Sequence, residues 1–133
     1  MVLSQPPPLP IRTNKLRERL KPTPGDPSAR EVLEDICRVF GVSEEALMSE
    51  SKEEDVVKYR RLYFYVANVL TSVNSTRISA IINRDRGTYL WHLGVCVGMF
   101  ESGDDKFMAL WNIYTKGSLI WNTHYNRKNK AQC

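Results

Sequence analysis

From Ser28 to Gly117 apolar residues return every three or four positions, and no apolar–polar alternation lasts more than a few residues. Residues at that spacing share one face of an α-helix, whereas a half-buried strand alternates at every second position. The pattern predicts an all-α domain of five or six helices. Short-range signals place their ends. Ser28 and Glu31 form a capping box ahead of Ala29, Val32, Leu33, Ile36 and Phe40, and Gly41 can close that helix in the left-handed conformation. Ser43 opens a short turn whose Glu44 and Glu45 suit the positive end of a helix dipole. Val56, Tyr59, Tyr63, Val66, Ala67 and Leu70 make a long stripe over residues 54–70, widened by Leu62, Phe64 and Val69. A helix apolar over so much of its girth is expected at the centre. Asp104 can cap a last helix carrying Phe107, Leu110, Trp111 and Tyr114, which Gly117 ends.

All seven prolines lie between Pro6 and Pro27, which excludes a continuous helix there. Residues 1–27 read as a basic arm, with Pro6 to Pro10 in polyproline II. Residues 28–117 are the folded domain, and 118–133 a basic tail that is partly ordered at most. Pro7 to Arg12 formally fits a ligand for an SH3-like groove, but such matches arise often by chance and a solvated arm is expected. A hydrophobic content of 42% suffices for a packed core. No apolar run approaches the roughly 18–20 residues of a membrane-spanning helix, and the start lacks a secretory signal. The three cysteines are too widely spaced for a disulfide framework. Cys37 and Cys96 read as small buried hydrophobes and Cys133 as exposed, so a reduced, cytoplasmic protein is expected.

Residues 74–100 carry the functional signal. Ser75 can cap a short helix with Ile78, Ile81 and Ile82 on one face, and Asn83 can end it. Asp85 then offers a second cap, and Leu90, Leu93, Val97 and Phe100 continue inward. Two helices around a tight turn, the second opening with Arg86, Gly87, Thr88 and Tyr89 just after Arg84, describe a helix-turn-helix. In that motif the first residues of the second helix meet base edges in the major groove. Charge agrees: residues 56–100 hold six basic and one acidic side chain, whereas 31–55 hold two basic and nine acidic. The positive segment suits a phosphate backbone, and the acidic one should face elsewhere.

Three blocks together resemble the C-terminal DNA-binding domain of DnaA, the bacterial chromosomal replication initiator. Ile36 to Ser49 is similar to the family's opening helix, Gly-Val-Ser-type turn and Leu-Leu-Ser sequence. Arg60-Arg61 followed by a long apolar helix to Leu70-Thr71 resembles the second block. Arg84-Asp85-Arg86-Gly87-Thr88-Tyr89-Leu90-Trp91-His92 resembles the signature Arg-Asp-His-Ser/Thr-Thr-Val-Leu-His-Ala. The resemblance covers about residues 30–100. It implies a Trp-repressor-like helical fold in which the helix over 85–100 enters the major groove, with Asp85, Arg86, Gly87 and Thr88 at base-reading positions. Arg86 replaces the family's His and Gly87 its Ser or Thr, so the initiator-box sequence does not carry over. The family's basic minor-groove loop corresponds here to the acidic Glu50 to Asp55. With about 30 residues upstream and no ATPase module, the chain reads as a stand-alone relative, a regulator or a mobile-element replication accessory.

The candidate DNA-binding residues are therefore Lys58, Arg61, Arg77, Arg84, Asp85, Arg86, Gly87, Thr88 and Tyr89. Lys58, Arg60, Arg61 and Arg77 are read as phosphate contacts, against a bland alternative of solvated helical charges. Asp85 and Thr88 are at the least a helix cap. Trp91, Trp111 and Trp121 read as core or partner surface, and Gly94 with Gly98 as a site of close helix packing. His92 and His124 lack ligand neighbours, and no glycine-rich phosphate loop or nucleophile elbow occurs, so neither metal, cofactor nor catalysis is expected. The expected partner is double-stranded DNA and not a membrane. The rival is a protein-interaction module on the same fold, using the acidic 44–55 segment or the aromatic C-terminal helix.

Overall fold

The computed structural model describes residues 26–71 and 73–125. The expected proline-rich arm and the basic end of the tail lie outside them. The described chain forms helices α1 (Ala29–Phe40), α2 (Glu44–Met48), α3 (Glu54–Leu70), α4 (Ser75–Ile81), α5 (Arg86–Ser102) and α6 (Asp105–Gly117), then a π-helical turn at Trp121–Tyr125. No strand occurs among the described residues. The fold is a small all-α domain with a helix-turn-helix, as the periodicity predicts.

Helix α3 is the axle. It packs against α1, α2, α4, α5 and the closing turn. Leu62 through Ala67 are fully shielded from solvent without interruption, as is Leu70. Burial of side chains of this size contributes about 1.5–3 kcal/mol each, which fixes the other helices around α3. The local signals act as expected: Ser28 and Glu31 complete the capping box, Gly41 and Gly103 close α1 and α5 at φ 66° and 69°, and Ser43, Asp85 and Asp104 cap α2, α5 and α6.

Four sequence expectations change. Asn74, not Ser75, caps α4, because its carboxamide oxygen accepts from the Arg77 amide at 2.9 Å. Ser75 is buried instead. Gly94 and Gly98 do not mark close packing: a Cβ built on either meets nothing within 4 Å. Cys96 is fully buried but Cys37 only half so.

The fourth change concerns the chain end. Ser118 and Trp121 are buried, so the folded body continues past Gly117 to the π turn. Buried Asp35 of α1 explains why. Its Oδ2 accepts from the Tyr114 hydroxyl at 2.9 Å and from the Ser118 hydroxyl, and its Oδ1 accepts from Arg38 at 2.8 Å. Arg38 also donates to the Gly117 carbonyl. A buried carboxylate needs such partners, so the knot ties α6 and the following residues to α1. Phe107, Trp111 and Tyr114 are thereby core residues, which removes the aromatic side of the last helix as a partner surface.

Candidate nucleic-acid interface

The turn between α4 and α5 is built by three residues. Asn83 takes φ 59°, a left-handed conformation that Asn tolerates better than most residues. The Arg84 amide donates back to the Ser79 carbonyl at 2.9 Å. Asp85 then starts α5: its carboxylate accepts from the Thr88 amide at 2.7 Å and from the Thr88 side chain. These bonds hold the Asp85 carboxyl below its usual range. The cap fixes where α5 begins, and it presents Arg86 and Gly87 exposed with Thr88 half-exposed behind them.

The arginines divide into two groups. Arg60 is buried, and its guanidinium gathers the carbonyls at the end of α2: Nε donates to Leu47 at 2.8 Å, Nη1 to Ser51 at 2.6 Å, and Nη2 to Ser49 at 2.6 Å and Ala46 at 3.2 Å. Arg84 does similar work from the turn, with Nη1 donating to Met48, Ile82 and Asn83 and Nη2 to Ser49. Both therefore satisfy orphan carbonyls at a helix C-terminus, where the dipole favours a cation. Burial first, and the nearby Arg84 charge second, lower the Arg60 pKa. Arg60 is therefore not free to meet a phosphate, which corrects that expectation, and the Arg84 guanidinium, expected among the DNA-binding residues, is engaged by backbone carbonyls instead.

Arg61 and Arg86 behave differently. Arg61 Nε donates to His92 Nδ1 at 3.0 Å, and its guanidinium carbon sits 5.3 Å from the centre of the Trp91 ring. Arg86 Nε donates to Ser75 Oγ at 3.1 Å. The terminal nitrogens of both have no hydrogen-bond partner among the described residues. Trp91 is 60% exposed, one turn beyond Gly87 on the outer side of α5, and is surface rather than core. His92 is buried, stacked on Phe64 with ring centres 5.4 Å apart. Burial, then the charges of Arg61, Arg60 and Arg84, push its pKa down to about 4. It is neutral at pH 7, with Nδ1 as acceptor and the proton on Nε2.

Of the remaining expected site residues, Arg77 is exposed on α4. Lys58 stands one turn before Arg61 but pairs with Glu54 at 3.5 Å, its side chain largely covered. Tyr89 is wholly buried and its hydroxyl accepts from Asn68 at 2.9 Å, so it supports α5 from beneath and cannot touch DNA. Sequence reasoning missed Ser75 and His92 as anchors. Both lie in the candidate motif, but their role depends on arginines 11 and 31 residues away.

The surface formed by α4, the turn and the start of α5 is thus a positive, capped helix end flanked by guanidinium groups. No helix among the described residues is long and apolar enough to cross a membrane. Residues 29–92 match the family described as the bacterial DnaA protein helix-turn-helix. No curated protein and no solved structure matches the chain.

Proposed function

We propose that this chain binds double-stranded DNA by laying the start of α5 in the major groove, a reading supported by the match of residues 29–92 to the bacterial DnaA helix-turn-helix family. The carrying observation is the presentation of Arg86 at that start, exposed and with its terminal nitrogens uncommitted, ahead of the small Gly87. A guanidinium fork matches the O6 and N7 acceptors of guanine, and such a pair discriminates against other bases by roughly 1–3 kcal/mol. Thr88 stands behind it, and Arg61 and Arg77 supply phosphate contacts. Binding of this kind serves replication or transcription control. With Arg86 and Gly87 at the reading positions, the preferred duplex differs from the initiator box.

Selection of duplexes from a random pool at two salt concentrations tests this reading. A guanine-containing preference that persists at the higher salt is expected. No duplex retained at the lower salt would overturn it and favour the protein-interaction alternative, for which the exposed carboxylates of Glu45, Glu50, Glu53 and Asp55 would be the contact surface.

A further inference from the structure

We propose that Ser75 and His92 are positioning residues that hold Arg86 and Arg61 by the Nε atom alone, so that each guanidinium offers a pre-aimed fork to the nucleic acid. The inference deepens the DNA-binding reading and rests on it. The two contacts share one design. In each, an acceptor that is itself buried takes the inner nitrogen, Ser75 Oγ at 3.1 Å and His92 Nδ1 at 3.0 Å, and the outer pair stays open. Each also crosses between helices: Ser75 belongs to α4 and holds a residue of α5, and His92 belongs to α5 and holds a residue of α3. Both anchors are confined by burial. Ser75 sits in the first turn of α4, and the His92 ring is clamped against Phe64.

The placement is two-sided. At 3.6 residues per turn, Gly87, Trp91, Gly94 and Gly98 share the outward stripe of α5, with Arg86 on one side of it and His92, carrying Arg61, on the other. Trp91 adds a floor beneath Arg61, since a guanidinium over an aromatic face is attracted to the ring. A long side chain loses considerable rotamer freedom on binding. Holding its inner nitrogen beforehand removes part of that loss and fixes the direction of the bidentate pair. Arg86, at the helix start, is assigned the base edge, and Arg61 a phosphate.

Two measurements on the full chain test the proposal. Arginine side-chain Nε–H correlations in the free protein should show slowly exchanging signals for Arg61 and Arg86, with the Arg86 signal lost in Ser75→Ala and kept in Ser75→Thr. Binding to the duplex preferred by the wild type, and to one altered at the guanine, should show Ser75→Ala reducing the preference roughly three- to tenfold, as loss of one hydrogen bond does. In an Arg86→Ala background the same change should do nothing more, because the anchor acts only through its arginine. His92→Phe, which keeps the stack on Phe64, should weaken both duplexes alike and be silent in Arg61→Ala. Equal effects of Ser75→Ala with and without Arg86, or fast-exchanging Nε–H signals in the wild type, would overturn the proposal. Failure of the wild type to bind any duplex would overturn the reading beneath it, and is recognisable because the Nε–H signals would remain.

Discussion

Arg60 and Arg61 are neighbours in α3, and Arg84 and Arg86 flank one aspartate, yet each pair splits between two regions of opposite character. At the end of α2, buried Arg60 and half-exposed Arg84 turn toward the backbone and share the Ser49 carbonyl, so the acidic segment is tied to the body by two cations. At the start of α5, Arg61 and Arg86 are each held at one point and face outward. The difference teaches that formal charge in the 56–100 segment is not a measure of what a phosphate backbone would feel. Two of the four arginines donate hydrogen bonds to helix-end carbonyls, and two keep their terminal nitrogens for a partner. It also shows that the carbonyl ends between the acidic stretch and the start of α5 are already satisfied from within.

The comparison breaks most visibly at Arg60. Arg60→Ala leaves the buried carbonyl of Leu47 and the half-buried one of Ser51 without this donor, and thermal or denaturant unfolding should show a loss of about 3 kcal/mol. Arg84→Ala, half-exposed and with solvent able to replace some bonds, should lose about 1–2 kcal/mol in the same assay. Arg86→Ala and Arg61→Ala should move stability by about 0.5–1 kcal/mol at most, while the first relaxes base preference and the second flattens the salt slope by about one. Lys58→Ala should give the smallest change in either assay, because an exposed partner such as Glu54 contributes little and the ammonium is not presented outward. A Lys58 effect on binding as large as that of Arg61 would blur the division.

Acid sharpens it from another direction. The folded pKa of His92, about 4, lies below its ordinary value of 6.5. In that interval the unfolded chain takes up a proton that the native chain refuses, so this contribution is complete above pH 6.5 and declines as pH falls toward 4. Melting temperatures should therefore drop between pH 6.5 and 5, before most carboxylates titrate, and His92→Phe should remove that part of the slope. A slope unchanged by His92→Phe would mean that the imidazole is not the group responsible.

Much of the fold is legible in sequence because its punctuation is local. Ser28 with Glu31, Gly41, Ser43, Asn83, Asp85 and Asp104 act on backbone groups no more than a turn away, and each acts as its chemistry predicts. The helical period likewise exposes the α3 stripe. What is not legible is the assignment of side chains that answer to distant partners. Nothing local separates Arg60 from Arg61, since the choice is made by carbonyls 9 to 14 residues back in one case and by an imidazole 31 residues ahead in the other. Tyr89 follows the same logic, its place beneath α5 being set by Asn68. Gly94 and Gly98 show the converse, in which a spacing that signals tight packing meets nothing within 4 Å among the described residues.

The Asp35 knot also sets a schedule. Its donors stand 79 and 83 residues further along the chain, so the carboxylate of the first helix waits for Tyr114 and Ser118 before it can be buried with partners. A chain emerging from the ribosome can form α1 and assemble the helix-turn-helix around α3, but it cannot shut its core until Trp121 is also free to dock. The segment that carries the helix-turn-helix is thereby translated well before the residues that lock it, and closure of the domain waits for the residues after Gly117.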